Sequence, residues 1–453
     1  MKTMIRKLPL YREAADIFEQ YKDENMAVFL DSALEGSLGQ YSIIGLFPYL
    51  ELKENDGVFY RNGQKEDISL EVAMKEIMTE FYEENPTTLP LTAGAIGYFS
   101  YDYGRKFEDI KTRHPKKIDM PEALWVFYDV LIIEDKEARA TYLTAQGETQ
   151  DGETLLDRLE KEILSVRAAE TPEKHRNLAE FIPNFEKEEY KQTVDRMISY
   201  IVEGDIYIAN MTQQLNAKSD KNPYDVYRYL RTYNPAPFAG YFNYGSFQIA
   251  CASPERFLKV QDGKIETRPI KGTRKRGETA QEDEALKAEL AASSKDRSEL
   301  LMIVDLERND LNHVCKPGTV EVTEHFKVET YATVFHLVTT IVGEMQDNLQ
   351  VMDLIQAAFP GGSITGAPKI RAMEIIDELE HDRRGLYTGS IGYLSLDGNC
   401  DLNIVIRTAV CQDGVYHLGV GGGITCESEL EFEYEETLQK ARAVLEAIAE
   451  EKR

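Results

Sequence analysis

The sequence predicts an α+β fold, because hairpin-linked strand patterns and amphipathic helical patterns occur throughout the chain. Asp-Gly and Asn-Gly pairs, which favour two-residue hairpin turns, occur at 56–57, 62–63, 262–263, 397–398 and 413–414. Helical periodicity is clearest over 70–82, 155–166, 187–203, 296–310 and 369–380. A length of 453 residues is sufficient for two to three domains.

The predicted elements divide the chain into three parts. Residues 1–166 form an N-terminal region of short strands and turns, with buried strands expected at 93–99 and 123–133. Residues 167–186 are polar and contain two prolines, and they are predicted to be a linker. Residues 187–453 begin with a helix that Gly204 ends, and they carry every candidate catalytic residue.

The charge and the cysteine content argue against a nucleic-acid-binding protein and against a disulfide-bonded protein. A net charge of -27 argues against a nucleic-acid partner, whose phosphates need a basic surface. An anionic ligand would need a local group of Lys and Arg or a metal ion. Five cysteines without CxxC spacing predict reduced thiols in a cytoplasmic protein. No apolar run approaches the length of a membrane span, so no membrane association is expected.

Residues 251–277, CASPERFLKVQDGKIETRPIKGTRKRG, are the most informative stretch. They predict a hairpin that turns at Asp262-Gly263 and returns from Lys264 to Ile270, which brings Glu255 near Lys271. Basic neighbours of Lys271 favour its neutral, nucleophilic amine. A solvated basic turn on the surface is the alternative interpretation.

Two pairs of acidic residues lie on predicted helices, each pair three residues apart and therefore on one helix face. They are Asp296 with Glu299 and Glu433 with Glu436. Each pair alone is typical of a solvated face. His336, expected just before a strand, is compatible either with a hydrogen-bonded core residue or with an active-site residue.

Two glycine-containing segments resemble nucleotide-binding loops but lack the required residues. In 359–369, Ala367-Pro368 stands where a phosphate-binding loop needs Gly-Lys, and Pro368 predicts a helix start instead. In 419–423, the run is followed by Ile424 rather than the last glycine of a dinucleotide fingerprint. Unhindered backbone amides in both segments could still approach an anion.

Several motifs together resemble one family. Ser-Pro-Glu-Arg-Phe at 253–257 and Arg-Pro-Ile-Lys-Gly-Thr at 268–273 are similar to the chorismate-utilising enzymes. That family includes anthranilate synthase component I, isochorismate synthase and aminodeoxychorismate synthase component I, and the resemblance is strongest from about residue 186 onward. It implies two large packed β-sheets flanked by helices, as in the anthranilate synthase component I fold.

The resemblance also implies roles for individual residues. The implied catalytic residues are Lys271, Glu255 and His336. The implied substrate-binding residues are Thr273, Ser363, Tyr387, Arg407, Gly421, Gly423 and Lys440. The implied Mg²⁺ ligands are Glu299 and Glu436, with Asp296 and Glu433 beside them. Without the resemblance, the arginine and the glycines would be interpreted as structural.

The identity of residue 271 distinguishes activities within the family. Lysine is typical of aminodeoxychorismate synthases, whereas anthranilate synthases carry alanine. The resemblance therefore implies conversion of chorismate and ammonia to 4-amino-4-deoxychorismate, for p-aminobenzoate and folate synthesis. Because no G-x-C-x-G glutaminase motif occurs, ammonia would come from a glutamine amidotransferase subunit or from solution. The alternatives are anthranilate synthase chemistry and an inactive regulatory or scaffold protein.

Two departures from the family pattern stand out. Ile208 occupies a position where isochorismate synthases have a lysine base and amine-using members usually have glutamine, which argues against isochorismate chemistry. Residues 29–32 and 40–45 are similar to the part that binds regulatory tryptophan in anthranilate synthases, but Gln40 replaces the usual arginine. Feedback inhibition is therefore in question, and core strands with a structural serine are an equally good interpretation.

Overall fold

The computed structural model describes residues 2–36, 38–331 and 334–450. Ten α-helices lie in these residues: α1 (Ala14–Phe18), α2 (Leu70–Glu80), α3 (Gly152–Leu164), α4 (Lys187–Glu203), α5 (Pro223–Tyr233), α6 (Ala280–Ala292), α7 (Ser294–Asn312), α8 (Val351–Ala358), α9 (Lys369–Leu379) and α10 (Leu430–Ile448). Short 3₁₀ turns span Tyr101–Phe107 and Gly362–Ile364. No helix among the described residues is both long enough and apolar enough to cross a membrane.

The same residues contain twenty-two strands, all paired antiparallel. The N-terminal strands are β1 (Met4–Lys7), β2 (Val28–Asp31), β3 (Tyr41–Asn55), β4 (Val58–Arg61), β5 (Gln64–Lys65), β6 (Gly94–Phe99), β7 (Ala123–Asp135) and β8 (Ala140–Ala145). The strands that follow are β9 (Ile182–Pro183), β10 (Ile208–Lys218), β11 (Phe238–Asn243), β12 (Gln248–Ser253), β13 (Arg256–Gln261), β14 (Lys264–Thr267), β15 (Ile270–Lys275), β16 (Glu321–Thr330), β17 (Val334–Glu344), β18 (Gly366–Ala367), β19 (Ser390–Ser395), β20 (Cys400–Asn403), β21 (Thr408–Gln412) and β22 (Val415–Ile424).

Two sheets extend from the long pair β3 and β7. The first sheet continues from β3 through β2, β11, β12, β21 and β22 to β10. The second sheet continues from β7 through β6, β19, β20, β13, β14 and β17 to β16, with β15 also on β17. The N-terminal region therefore supplies strands to both sheets.

One hydrophobic core lies between the two sheets and others lie beneath the helices. The core between the sheets joins Tyr98 and Ile391 of the second sheet to Phe242 and Val410 of the first. Outside it, α2, α7 and α8 pack on the second sheet, whereas α1, α3, α5 and α10 pack on the first. The predicted pair of packed sheets flanked by helices is thus confirmed.

The predicted elements differ from the structure mainly at their ends. The hairpin at 251–277 turns at Asp262-Gly263 as expected, with positive φ angles of 53° and 75°. Its return strand, however, is not continuous to Ile270: β14 ends at Thr267, and Pro269 separates it from β15 because proline has no N–H for the ladder. His336 lies inside β17, not before it.

Candidate active site

The site forms where the chain crosses between the two sheets. Residues 254–255 connect β12 of the first sheet to β13 of the second, and residues 404–407 connect β20 to β21 in the opposite direction. The glycine-rich end of β22, the loop at 361–365 and the helices α7 and α10 complete the surroundings. Residues distant in sequence therefore meet at one place.

Lys271 points into this site. A bulge in the β15–β17 pairing falls between Lys271 and Thr273, and Gly272 adopts a left-handed φ of +76° there. The Lys271 Nζ donates a hydrogen bond to the carbonyl of Ser363 at 3.0 Å. The same atom lies 3.4 Å from the position that a Cβ on Gly423 would occupy. The amine is thus held between the 361–365 loop and β22 rather than in bulk solvent.

The basic neighbours of Lys271 are mostly neutralised by acids. Arg274 pairs with Asp296 at 3.1 Å and with Glu289 at 2.8 Å. Arg268 and Arg276 form ion pairs as well, with Glu329 and Asp283 respectively. Each of these guanidinium groups therefore carries its own counter-charge, so they do not form an uncompensated basic cluster around Lys271.

Glu255 is a buried carboxyl beside the lysine. Its side chain is 6% exposed, and its Oε1 has no hydrogen-bond partner. Burial raises its pKa, against opposing effects of a Ser363 hydrogen bond and the charge of Lys271. A buried carboxyl with a raised pKa holds its proton more firmly than one in water, and it can donate that proton to a leaving group.

His336 is held in its neutral form. It is 3% exposed, and burial together with the charge of Arg407 lowers its pKa to about 3. Its Nδ1 lies 3.0 Å from the hydroxyl of Thr273, one strand away. A neutral imidazole at this place can orient a hydroxyl, but it is not the reaction's strong acid.

The arginine expected to bind a carboxylate lies near Glu255 and His336, whereas the expected tyrosine packs against Gly419 of β22. Arg407 has a left-handed φ of 51° in the turn before β21, and burial lowers its pKa while Glu255 opposes that effect. Burial raises the pKa of Tyr387, whose ring packs against Gly419. A half-buried guanidinium and a neutral phenol can both donate hydrogen bonds to an anion.

The glycines of β22 have different tasks. A Cβ on Gly421 would lie 2.5 Å from the carbonyl of Met211, so Gly421 permits close contact with β10. A Cβ on Gly422, which was not predicted as a site residue, would lie 2.7 Å from Glu436 Oε2 and 3.3 Å from Glu433 Oε2. Only Gly423 faces the lysine amine. The uninterrupted glycine run was the signal that could have identified Gly422.

The four candidate metal ligands lie on α7 and α10. Burial raises the pKa of Glu299 and of Glu433, and the negative charge of Glu436 raises both further. Lys440 Nζ donates to Glu436 Oε2 at 2.7 Å and to the carbonyl of Gly421 at 2.9 Å. Asp296 is engaged by Arg274 and packs against Gly272.

The four candidate ligands are all carboxylates, which is the type of donor that a hard divalent cation prefers. Partly buried carboxylates that repel one another are stabilised by such an ion, and Mg²⁺ prefers oxygen ligands. In residues 2–36, 38–331 and 334–450, no three His, Cys, Asp or Glu side chains converge closely enough to hold a metal. The individual ligands therefore remain predictions.

Ile208 borders the lysine pocket, and a further buried acid, Glu307, lies on α7. Ile208, at the start of β10, is buried, and its Cδ1 lies 3.6 Å from the position of a Cβ on Gly423. It thus gives the site an apolar wall near the amine of Lys271. Glu307 of α7 was not predicted, because its spacing from Asp296 and Glu299 gives no sign that it is buried.

A separate cavity of about 420 Å³ adjoins the N-terminal stretches that resemble a regulatory site. Asp31, Ser32 and Gln40 are among its lining residues. Asp31 already accepts hydrogen bonds from Tyr227 and Ser42, and Ser32 donates to the carbonyl of Tyr41. These contacts are structural, so the polar groups of Asp31 and Ser32 are already engaged within the fold.

The comparisons with known proteins agree with this geometry. A family model described as chorismate binding enzyme matches residues 36–446. The chain belongs to the chorismate-binding enzymes. Within this family it is 38% identical to aminodeoxychorismate synthase component 1 of Bacillus subtilis, over 93% of this chain and 91% of that protein. It is 35% identical to anthranilate synthase component 1 of Aquifex aeolicus, over 97% and 94%.

A solved structure extends the comparison to the fold. Anthranilate synthase component I from Streptococcus pneumoniae aligns with a TM-score of 0.82 and 32% identity, covering 91% of this chain and 93% of that one. Relatives with two different names are thus similarly close to this chorismate-binding enzyme. Its reaction has to be argued from the site.

Proposed function

We propose that the protein converts chorismate and ammonia to 4-amino-4-deoxychorismate through a covalent intermediate on Lys271. The observation that carries this proposal is the position of the Lys271 amine, 3.0 Å from the Ser363 carbonyl and next to Gly423. A nucleophile held in a pocket with a buried acid is the arrangement that covalent catalysis needs. Arginine could not replace it, because a guanidinium stays protonated.

The first half-reaction forms a bond to the lysine. The neutral Lys271 amine attacks ring carbon 2 of chorismate, the ring double bond shifts, and the bond from carbon 4 to its hydroxyl breaks. Glu255, whose pKa burial raises, gives its proton to that hydroxyl, which leaves as water. The adduct nitrogen carries the positive charge.

The second half-reaction reverses the allylic shift. Ammonia attacks carbon 4, the double bond returns, and the bond from carbon 2 to Lys271 breaks with its electron pair going to nitrogen. The lysine is released as a neutral amine, and the new ammonium group returns one proton to Glu255. Ile208 presents no polar atom that could activate water in place of ammonia.

The surrounding residues bind and orient the dianionic substrate. Arg407, Tyr387 and Lys440 supply positive charge and hydrogen bonds for its carboxylates, while neutral His336 and Thr273 orient a hydroxyl. Glu299, Glu433, Glu436 and Asp296 would hold Mg²⁺, which when bound would neutralise carboxylate charge. The product would enter p-aminobenzoate and folate synthesis in the cytoplasm.

A separate subunit is proposed to supply the ammonia. The sequence has no glutaminase nucleophile motif, and the relatives named above are each called component 1. We expect a glutamine amidotransferase partner that releases ammonia near the site. Ammonium salts at alkaline pH should replace that partner in vitro.

Product identification tests the proposal. The purified protein is incubated with chorismate, Mg²⁺ and ammonium, and the products are separated by chromatography and identified by mass spectrometry. We expect 4-amino-4-deoxychorismate without pyruvate, and without ammonia a protein adduct that Lys271→Ala cannot form. Stoichiometric pyruvate with fluorescent anthranilate would instead establish anthranilate synthase chemistry. No turnover and no chorismate binding would favour a regulatory or scaffold role.

A further inference from the structure

Arg384 is a buried arginine in the segment between α9 and β19, and the mechanism above does not use it. Its side chain is 1% exposed, and its ion-pair partner, Glu380, lies four residues earlier. The guanidinium donates to Glu380 through Nε at 3.0 Å and through Nη2 at 2.7 Å. The ring of Tyr101 packs against it, with 4.6 Å between the ring centroid and Cζ.

Stability alone does not account for this buried pair. Desolvation of two charges offsets most of their attraction, so apolar residues of similar volume often stabilise a core equally well. A guanidinium paired with a carboxylate differs from apolar residues in one respect, because it presents several donors in fixed directions. The remaining hydrogen bonds of the pair therefore indicate which parts of the chain it holds.

The guanidinium holds the loop that positions the lysine amine. Arg384 donates to the carbonyl of Ile364 at 2.8 Å. The preceding residue, Ser363, supplies the carbonyl that accepts a hydrogen bond of 3.0 Å from Lys271 Nζ. The carbonyl that fixes the amine is thus one residue from the carbonyl that Arg384 fixes.

The same pair also holds strand β10, which borders the pocket. The guanidinium donates to the carbonyl of Asn210 at 2.5 Å, and the N–H of Asn210 donates to the carbonyl of Thr365 at 2.8 Å. Asn210 pairs in the sheet with Gly423, which lies beside the lysine amine. Glu380 Oε1 accepts hydrogen bonds from the N–H and the hydroxyl of Thr212 at 3.0 and 2.8 Å. The loop and the strand are therefore both tied to one pair of side chains.

We propose that Arg384, held by Glu380, is a positioning residue that sets the distance from the Lys271 amine to ring carbon 2 of chorismate. It acts by keeping the Ser363 carbonyl and β10 in one fixed arrangement around the amine. A misplacement of about 1 Å can cost about a hundredfold in rate, so a rigid support for the nucleophile matters. This inference rests on the proposed covalent step at Lys271.

Arg384→Lys tests the geometry while it keeps the charge. An ammonium group has one nitrogen, so it cannot reach Glu380, Ile364 and Asn210 in the directions of a guanidinium. The measurement is the rate of adduct formation with chorismate and Mg²⁺ but without ammonia, followed by intact-protein mass spectrometry at a series of chorismate concentrations. We expect the limiting rate to fall by about tenfold or more, whereas the half-saturating chorismate concentration changes by less than about threefold.

Arg105→Lys is the matched control. Arg105 is also a buried arginine against Tyr101, with its Cζ 5.8 Å from the ring centroid. It pairs with Asp102 at 2.9 Å and with Asp377 at 2.8 Å instead of holding the loop or β10. Both variants should lower the Tm, but only Arg384→Lys should slow the adduct. Equal slowing in both variants would show that the loss comes from general destabilisation and would overturn the proposal.

Glu380→Gln is the second variant, for the case that Arg384→Lys does not fold. The amide oxygen can still accept the hydrogen bonds of Thr212, but the amide nitrogen then faces Arg384 Nε, donor against donor, and displaces the guanidinium. The limiting rate of adduct formation should fall by about threefold or more. A limiting rate equal to that of the wild type, in whichever variant folds, would overturn the proposal.

Failure of the proposed function is visible in the wild type alone. Anthranilate and pyruvate without any adduct on Lys271 would overturn the covalent step and this proposal with it. A wild-type adduct that Arg384→Lys forms at the same limiting rate would overturn only the role of Arg384.

Discussion

Replacing Glu307 by glutamine should make the free energy of unfolding less dependent on pH. The side chain is buried, and burial raises its pKa from 4.5 to about 8 on folding. A carboxyl with a raised pKa contributes stability that is complete below pH 4.5 and is lost as pH rises towards 8. Glutamine mimics the protonated acid, and its amide oxygen can still accept the hydrogen bond of Thr267.

The size of the effect follows from the shift. Each pH unit between the unfolded and folded pKa values costs the wild type about 1.4 kcal/mol, because the folded state must take up a proton that the unfolded chain has released. Between pH 5 and pH 7.5 the stability of Glu307→Gln relative to wild type should rise by about 3 kcal/mol. The buried amide N–H group adds a cost that does not depend on pH, so only the change between the two pH values is informative.

Urea unfolding followed by circular dichroism at both pH values measures this change. Asp305→Asn is the matched control: its carboxyl is exposed and pairs with Arg308 on the same helix, so its effect should stay within a few tenths of a kcal/mol at either pH. A stability difference between Glu307→Gln and wild type that is equal at pH 5 and pH 7.5 would refute the reasoning, because Glu307 would then ionise as it does in water.

Three further outcomes are expected. Gly272→Ala should lower kcat by at least about tenfold. The φ angle of Gly272 is +76°, and the new Cβ would lie 2.8 Å from the Asp296 carboxyl, so the strand should shift and displace Lys271. Unchanged steady-state kinetics would contradict this role. Arg384→Met should destabilise the fold by roughly 3–5 kcal/mol, because the substitution removes the ion pair of buried Glu380 and the hydrogen bonds to the carbonyls of Ile364 and Asn210. Thermal unfolding measures this loss, and an unaltered Tm would refute the prediction. Chelation of divalent cations should abolish turnover and added Mg²⁺ should restore it; turnover that survives chelation would count against the metal site.

The fold was predictable where local chemistry decides the structure. Gly204 ends α4 with a left-handed φ of 89°, and Asp262-Gly263 turns the hairpin, because few other residues accept those backbone angles. The break between β14 and β15 was missed although Pro269 was visible. Whether Pro269 interrupts the strand depends on the partner strand β17, which is distant in sequence and pairs with both β14 and β15.

The sequence indicated that Glu255 and Lys271 lie close together, but it did not indicate the electrostatics around them. The motifs around Lys271 and the acidic pairs on α7 and α10 were recognisable from sequence. The counter-ions of Arg274 and Arg268 come from α6, α7 and β16, so their pairing was not readable from neighbours in the chain. Glu307 differs from exposed Asp305 only through tertiary packing, which no spacing rule contains.

The way residues 1–166 share both sheets has a consequence for fragments of this protein. The central pair β3 and β7 is encoded before the polar segment at 167–186, whereas β11 and β19, which pair with β2 and β6, come after it. A protease cut in that segment would sever one covalent link but would leave these ladders joined. Either half made alone would leave the backbone N–H and C=O groups of these strands without their partners. Co-expression of both halves should therefore be needed to recover a folded enzyme.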